Sequence, residues 1–253
     1  MRTKNRRQYI LQELQGEKQV DIRSLAEQLE VSAMTVRRDL LRFAEQGIVT
    51  MVHGGAVLNE GTASLASVGA REQRNEQEKN SIASYCAGLI KEGNSVYIDA
   101  GSTTKAIAEC LITRKNIAVL SHALPILNIL SNAHGLQLVS VPGIFRADQR
   151  AFFGELTVRT IREFRLDIVF LGACAVDKEL GVMSSDFYDQ GVKQALISMA
   201  RLKVLAVDHT KLGASSFVKA CEVTALDRIV TDKLADAELV DYIRRRGVQV
   251  VQV

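Results

Sequence analysis

From Ser95 to the last residue, short apolar runs alternate with helix-like stretches, and this alternation restricts the possible folds more than any other feature. Strand-like runs fall at Ser95–Ala100, Ile117–Ser121, Leu136–Val141, Ile168–Gly172, Val204–Asp208 and Arg228–Thr231, with a final short one at Val248–Val253. Helical spacing fills most of the gaps. The pattern predicts an α/β fold on a largely parallel sheet with helices on its faces. Ligands of such sheets bind beyond the carboxyl ends of the strands. Asp99 and Gly101 follow the first strand, and Ser102, Thr103 and Thr104 open the next helix, where amides, hydroxyls and the helix dipole suit an anion. Gly172-Ala173-Cys174 and Asp208-His209-Thr210-Lys211 end two later strands, and Asp186, Asp189 and Lys193 lie before and within a helix between them. On spacing alone, Lys193 points either to the crevice as a phosphate ligand or to solvent.

The first 58 residues follow another plan. Ile10, Leu11 and Leu14 fit a short amphipathic helix, Val20 and Ile22 flank Asp21 in a brief extended piece, and Leu25, Ala26 and Leu29 repeat at helical spacing. Ser32 is an N-cap for a further helix in which Val36, Leu40 and Phe43 share the buried face. Thr35, Arg37, Arg38 and Arg42 fall largely outside that stripe, and Gly47 is the expected helix stop. Two helices joined by a tight turn, the second led by arginines, match the arrangement in which a recognition helix enters the major groove. Ile48 to Leu58 reads as a strand, a turn at Gly54-Gly55 and a returning strand. That hairpin is a wing, whose glycines allow close backbone approach and whose His53 can meet phosphate.

Residues 59–77 connect the halves. Asn59 to Val68 is rich in Gly, Ser, Thr and Ala, and Arg71 to Lys79 is strongly charged. The expected organisation is a winged helix-turn-helix domain over 1–58, a linker over 59–77, and a larger Rossmann-like α/β domain over 78–253.

The motifs S-x-x-T-V-R-R-D-L from Ser32, G-I-V from Gly47 and H-G-G-A from His53 resemble the DNA-binding signature of the DeoR family of bacterial transcriptional regulators. The resemblance extends to E-K-x-x-I-A from Glu78, D-A-G-S-T from Asp99, F-L-G-A from Phe170, V-K-x-A from Val192 and D-x-x-K from Asp208. It implies a winged helix-turn-helix repressor of a carbohydrate operon, with an effector domain folded like ribose-5-phosphate isomerase. Its implied partners are double-stranded operator DNA, a phosphorylated sugar or similar anion, and further copies of itself, as dimer or tetramer. Ser32, Thr35, Arg37, Arg38, Arg42, His53, Gly54 and Gly55 would then meet DNA. Gly101, Ser102, Thr103, Thr104, Lys193, Asp208 and Lys211 would hold the effector, with Asp99 positioning the loop. Three positions depart from the family pattern: Met51 in the wing, Ser121-His122-Ala123 after the second strand, and Cys174 where a carboxylate is common.

The alternative is a sugar-phosphate isomerase-like enzyme with an accessory DNA-binding domain. Cys174 cannot replace a carboxylate base, and an enzyme has no need of Arg37 and Arg38 beside a wing. The four cysteines are scattered without paired ligands, so neither a metal nor a cofactor is expected. A net charge of +3 selects no partner, no apolar run approaches a membrane span, and a cytoplasmic location is expected.

Overall fold

A computed structural model describes residues 3–45, 49–58 and 74–253. Gly47 and most of the linker lie outside the described residues. The chain divides into two compact units, Met1–Ala66 and Ser67–Val253.

In the first unit, α1 (Thr3–Glu17) leads into β1 (Gln19–Asp21), α2 (Ile22–Gln28) and α3 (Ala33–Glu45). The hairpin β2 (Val49–Val52) and β3 (Gly55–Leu58) follows, and β1 joins it to give the antiparallel order β1-β3-β2. Ile10, Leu14, Leu25, Val36, Leu40, Phe43 and Val49 form one buried cluster, so each helix buries the face its spacing marks. Asp21 caps α2 by accepting from the amides of Arg23 and Ser24, both at 2.9 Å. Ser32 Oγ accepts from the Thr35 amide at 3.2 Å and pairs with Thr35 Oγ1 at 2.8 Å. The turn between β2 and β3 is His53-Gly54, with Gly54 at φ 79°. Gly55 already belongs to β3, opposite Asp21, where a Cβ would run into the Val20 carbonyl. Its lack of a side chain thus serves sheet packing within the unit.

Asp39, on the inner side of α3, is only 1% exposed. Its carboxylate accepts from Arg6 Nε at 2.7 Å and Arg7 Nε at 2.6 Å, tying α1 to α3. Burial alone would raise its pKa, but the hydrogen bonds and charges of Arg7 and Arg6 outweigh that and hold it below its ordinary 3.8. A carboxylate depressed in the folded state stabilises above its unfolded pKa, and this contribution disappears as pH falls through the folded value. Asp39→Asn is therefore expected to melt earlier than the unsubstituted chain at neutral pH. The gap should close below about pH 3.8, the ordinary carboxylate value. Thermal unfolding across pH checks this, and a gap independent of pH would refute it.

The second unit is built on a seven-stranded sheet of order β15-β14-β12-β9-β4-β5-β6 with every pairing parallel. Its strands are β4 (Ser95–Ile98), β5 (Ala118–Ser121), β6 (Gln137–Ser140), β9 (Leu166–Leu171), β12 (Ala200–Ala206), β14 (Arg228–Thr231) and β15 (Gln249–Gln252). These are the seven runs expected from the alternation. The helices are α4 (Glu76–Gly88), α5 (Ser102–Glu109), α6 (Leu124–Leu130), α7 (Glu155–Arg162), α8 (Phe187–Met199) and α9 (Ala237–Arg245). The chain runs outward from β4 through β5 to β6, then returns to lay β9 on the other side of β4. The carboxyl ends of β4 and β9 therefore form the topological switch point.

Two features were not expected from the sequence: a hairpin of β7 (Ile144–Arg146) with β8 (Ala151–Phe153), and an antiparallel sheet of β10 (Ala175–Asp177), β11 (Gly181–Ser184) and β13 (Val218–Cys221). Their strands are three or four residues long, and β11 finds β13 across the register Val182↔Cys221, so no local period announces them. The core lies along the central sheet, with Tyr97, Ile98, Ile107, Phe153 and Phe170 fully enclosed.

Candidate functional site

The outward face of α3 presents Arg37, Arg38 and Arg42 to solvent, with Ser32 exposed at its start and Thr35 half-buried. None of the three arginines is ion-paired among the described residues, unlike Arg6 and Arg7. His53 and Gly54 are exposed at the hairpin tip, whereas Gly55 is buried. Met51, the wing position that departs from the family pattern, is half-buried against the unit's core. Sequence reading missed Met34 and Leu41, which are 64% and 44% exposed. Residues 34, 37, 38 and 41 share one helical strip, so apolar atoms flank the guanidinium groups there. Such atoms are suited to a thymine methyl beside arginines suited to guanine or phosphate. Their signal in the sequence was their position outside the Val36-Leu40-Phe43 stripe.

In the second unit, Asp99 ends β4 and is completely buried. Its Oδ1 accepts from the Ala100 amide at 2.9 Å, and its Oδ2 from the Gly172 amide at 3.1 Å and from Lys193 Nζ at 3.0 Å. A Cβ at Gly172 would stand 3.2 Å from the Ala100 carbonyl, so a small residue lets the β4 and β9 ends meet. Lys193 also reaches Asp189, one helical turn earlier on α8, at 2.5 Å. Burial would lower the Lys193 pKa, but Asp189 and Asp99 raise it well above the usual lysine value. Burial would raise Asp189, but Lys193 outweighs it and holds the carboxyl low. The lysine is thus neither solvated nor turned to an open mouth. It is an interior ammonium bridging two carboxylates.

Thr104 returns its hydroxyl to the Gly101 carbonyl at 3.0 Å and shapes the loop, Thr103 is buried, and Gly101 and Ser102 are half-buried at the start of α5. Asp208, at the end of β12, accepts from the Thr210 amide at 3.0 Å, the Thr210 hydroxyl, and Asn75 Nδ2 at 3.1 Å. Burial would raise the Asp208 pKa, but Thr210, the half-buried Lys211 and Asn75 bring it below 3.8. The structure therefore brings Asp99, Gly172, Lys193 and Asp189 into direct contact, and couples Asp208 to Lys211. β12 stands two strands from β4, roughly 10 Å at usual sheet spacing.

His122, one residue beyond β5, completes this interior. Its Nδ1 lies 3.0 Å from Tyr97 Oη, its Nε2 lies 3.9 Å from Asp99 Oδ1, and the Phe153 ring meets it edge-on. Burial lowers the His122 pKa below 6.5, against the pull of Asp99. Cys174 is a half-buried free thiol at the β9 end. Among the described residues no His, Cys, Asp and Glu group is arranged to hold a metal, and no helix is long and apolar enough to cross a membrane.

Residues 6–62 match the DeoR-like helix-turn-helix domain, and residues 74–233 match the DeoR C terminal sensor domain. The chain is 32% identical to the transcriptional repressor AccR of Agrobacterium fabrum, over 91% of this chain and 90% of that one. It is 29% identical to the glycerol-3-phosphate regulon repressor of Escherichia coli K12, covering 92% of each. A putative aga operon transcriptional repressor of Escherichia coli O157:H7 is 28% identical, over 99% of this chain and 94% of that one. Among solved structures, a ribose 5-phosphate isomerase from Methanocaldococcus jannaschii aligns with a TM-score of 0.41 and 19% identity, over 55% of each chain.

Proposed function

The chain belongs to the DeoR family of DNA-binding transcriptional regulators, and we propose that it represses a carbohydrate-metabolism operon under control of a phosphorylated metabolite. The observation that carries this reading is the Asp99–Thr104 loop. It opens α5 at the switch point of the parallel sheet, in a chain whose other unit presents, on a recognition helix, three arginines with no ion-pair partner among the described residues. The amides at the start of α5, with Ser102 and Thr103, take the anion. Lys211 supplies charge from beyond β12, two strands away, and Lys193 sets the loop by holding Asp99. The relatives' names support the substrate class, since one is a repressor of a glycerol-3-phosphate regulon.

Enzymatic turnover is disfavoured on the same geometry. Asp99 and Asp189 are committed to Lys193, Asp208 is committed to Thr210 and Asn75, and Cys174 supplies no base. Two copies pair in this reading, because a repressor doubles its hold by engaging two half-sites. Phe187 and Phe217 support it, being 67% and 73% exposed with their rings 5.8 Å apart.

The test uses DNA selected from a random pool by the full chain. Sugar phosphates added to that complex are expected to change its affinity, since an effector must distinguish two states to shift them. No change with any phosphoester tried, or a single-chain mass on the selected DNA by sedimentation, would remove the corresponding part of the reading.

A further inference from the structure

The Tyr97–His122–Asp99 cluster contains a polar atom with nothing to bind. Tyr97 and His122 are both fully buried, and the Tyr97 hydroxyl has His122 Nδ1 as its hydrogen-bond partner. A buried phenol must place its proton somewhere, so Tyr97 donates and Nδ1 accepts. The imidazole proton then sits on Nε2. That atom has no hydrogen-bond partner among the described residues. Asp99 Oδ1 faces it at 3.9 Å, beyond hydrogen-bond range.

An oxygen in contact with both atoms at about 2.8 Å must sit beside the line joining them, at an angle of about 90°, so it enters only when the enclosing side chains open. The oxygen must accept from Nε2–H and donate to Oδ1. A hydroxyl does both. A carbonyl has no proton to give, and a phosphate oxygen brings negative charge against Asp99. Asp99 lies two residues before Gly101, so its backbone is within about 7 Å of the loop that starts α5.

We propose that His122 Nε2 and Asp99 Oδ1 clamp one hydroxyl of the ligand whose phosphate rests on the Gly101–Thr104 loop. This rests on the sensing reading above and narrows it. His122 is then the specificity-determining residue, selecting a hydroxyl over hydrogen, a carbonyl or a second anion. Both clamp residues are fully buried, so ligand entry must displace the side chains around them.

The experiment measures binding of the full chain to inorganic phosphate and to matched pairs: ribose 5-phosphate with 2-deoxyribose 5-phosphate, and glucose 6-phosphate with 2-deoxyglucose 6-phosphate. Glycerol 3-phosphate is included. At least one hydroxylated probe is expected to bind ten times more tightly than inorganic phosphate. His122→Phe should remove that preference and leave the phosphate affinity unchanged, while His122→Gln, which restores an N–H donor, recovers part of it. A preference retained in His122→Phe overturns the clamp. Hydroxylated probes binding no better than phosphate do so as well, and assign the gap to a fixed water. If neither phosphate nor any phosphoester binds, the loop is not an anion site and the sensing reading fails first. Nitrogen-15 spectra of histidine in the ligand-free chain give an independent check. They should show the Nε2–H tautomer for His122, and an Nδ1–H tautomer overturns the clamp whatever binds.

Discussion

Lys193→Ala is expected to unfold the sensor unit well before the temperature at which the unsubstituted chain melts. The substitution leaves Asp99 and Asp189 facing each other in an interior where Lys193 is only 2% exposed. Removing one partner from a buried ionic group typically costs about 3–5 kcal/mol, because the remaining charge is stranded. For a unit of this size that is a fall of roughly 6–20 °C in melting temperature. On spacing alone Lys193 points either to the crevice or to solvent, and the family resemblance places it among the effector's ligands. The structure gives it two buried carboxylate partners, so its loss is expected to reach the fold as well. Asp189→Asn is the control, since it leaves the Lys193–Asp99 pair intact and should cost far less. Calorimetry of both variants decides the matter: equal, small shifts would mean the triad contributes little and return Lys193 to the ligand.

Arg37→Ala and Arg38→Ala are expected to weaken operator binding without altering the thermal stability of the chain. Both side chains are exposed and have no ion-pair partner among the described residues, so their removal strands no buried group there. An arginine that reads guanine should cost about 1–3 kcal/mol in binding and relax preference at one base. One that holds phosphate should weaken all sequences alike and reduce the salt slope by about one unit. Arg6 and Arg7 are arginines too, yet their guanidinium groups hold Asp39, so alanine there should act through stability instead. Operator titrations at several salt concentrations separate these cases, and unchanged affinity in both recognition-helix variants would sink the assignment.

Periodicity made the scaffold legible. Val36, Leu40 and Phe43 lie inside for the same reason they recur at helical spacing, and the seven parallel strands appear as apolar runs because helices cover the sheet. The loop proposed to take the anion stood out as well, since strand ends carry ligands in this architecture and Asp99–Thr104 is contiguous in the chain. Partnerships between distant residues were not. Lys193 meets Asp99 across 94 positions, Gly55 is required by Val20 on another strand, and the short β11 finds β13 far along the chain. The direction of a side chain on a helix follows from spacing, but what stands opposite depends on how the elements dock. His122 was visible as a departure from the family pattern. Its unpaired nitrogen exists only because folding enclosed Tyr97 on one side of the ring and held Asp99 too far away on the other.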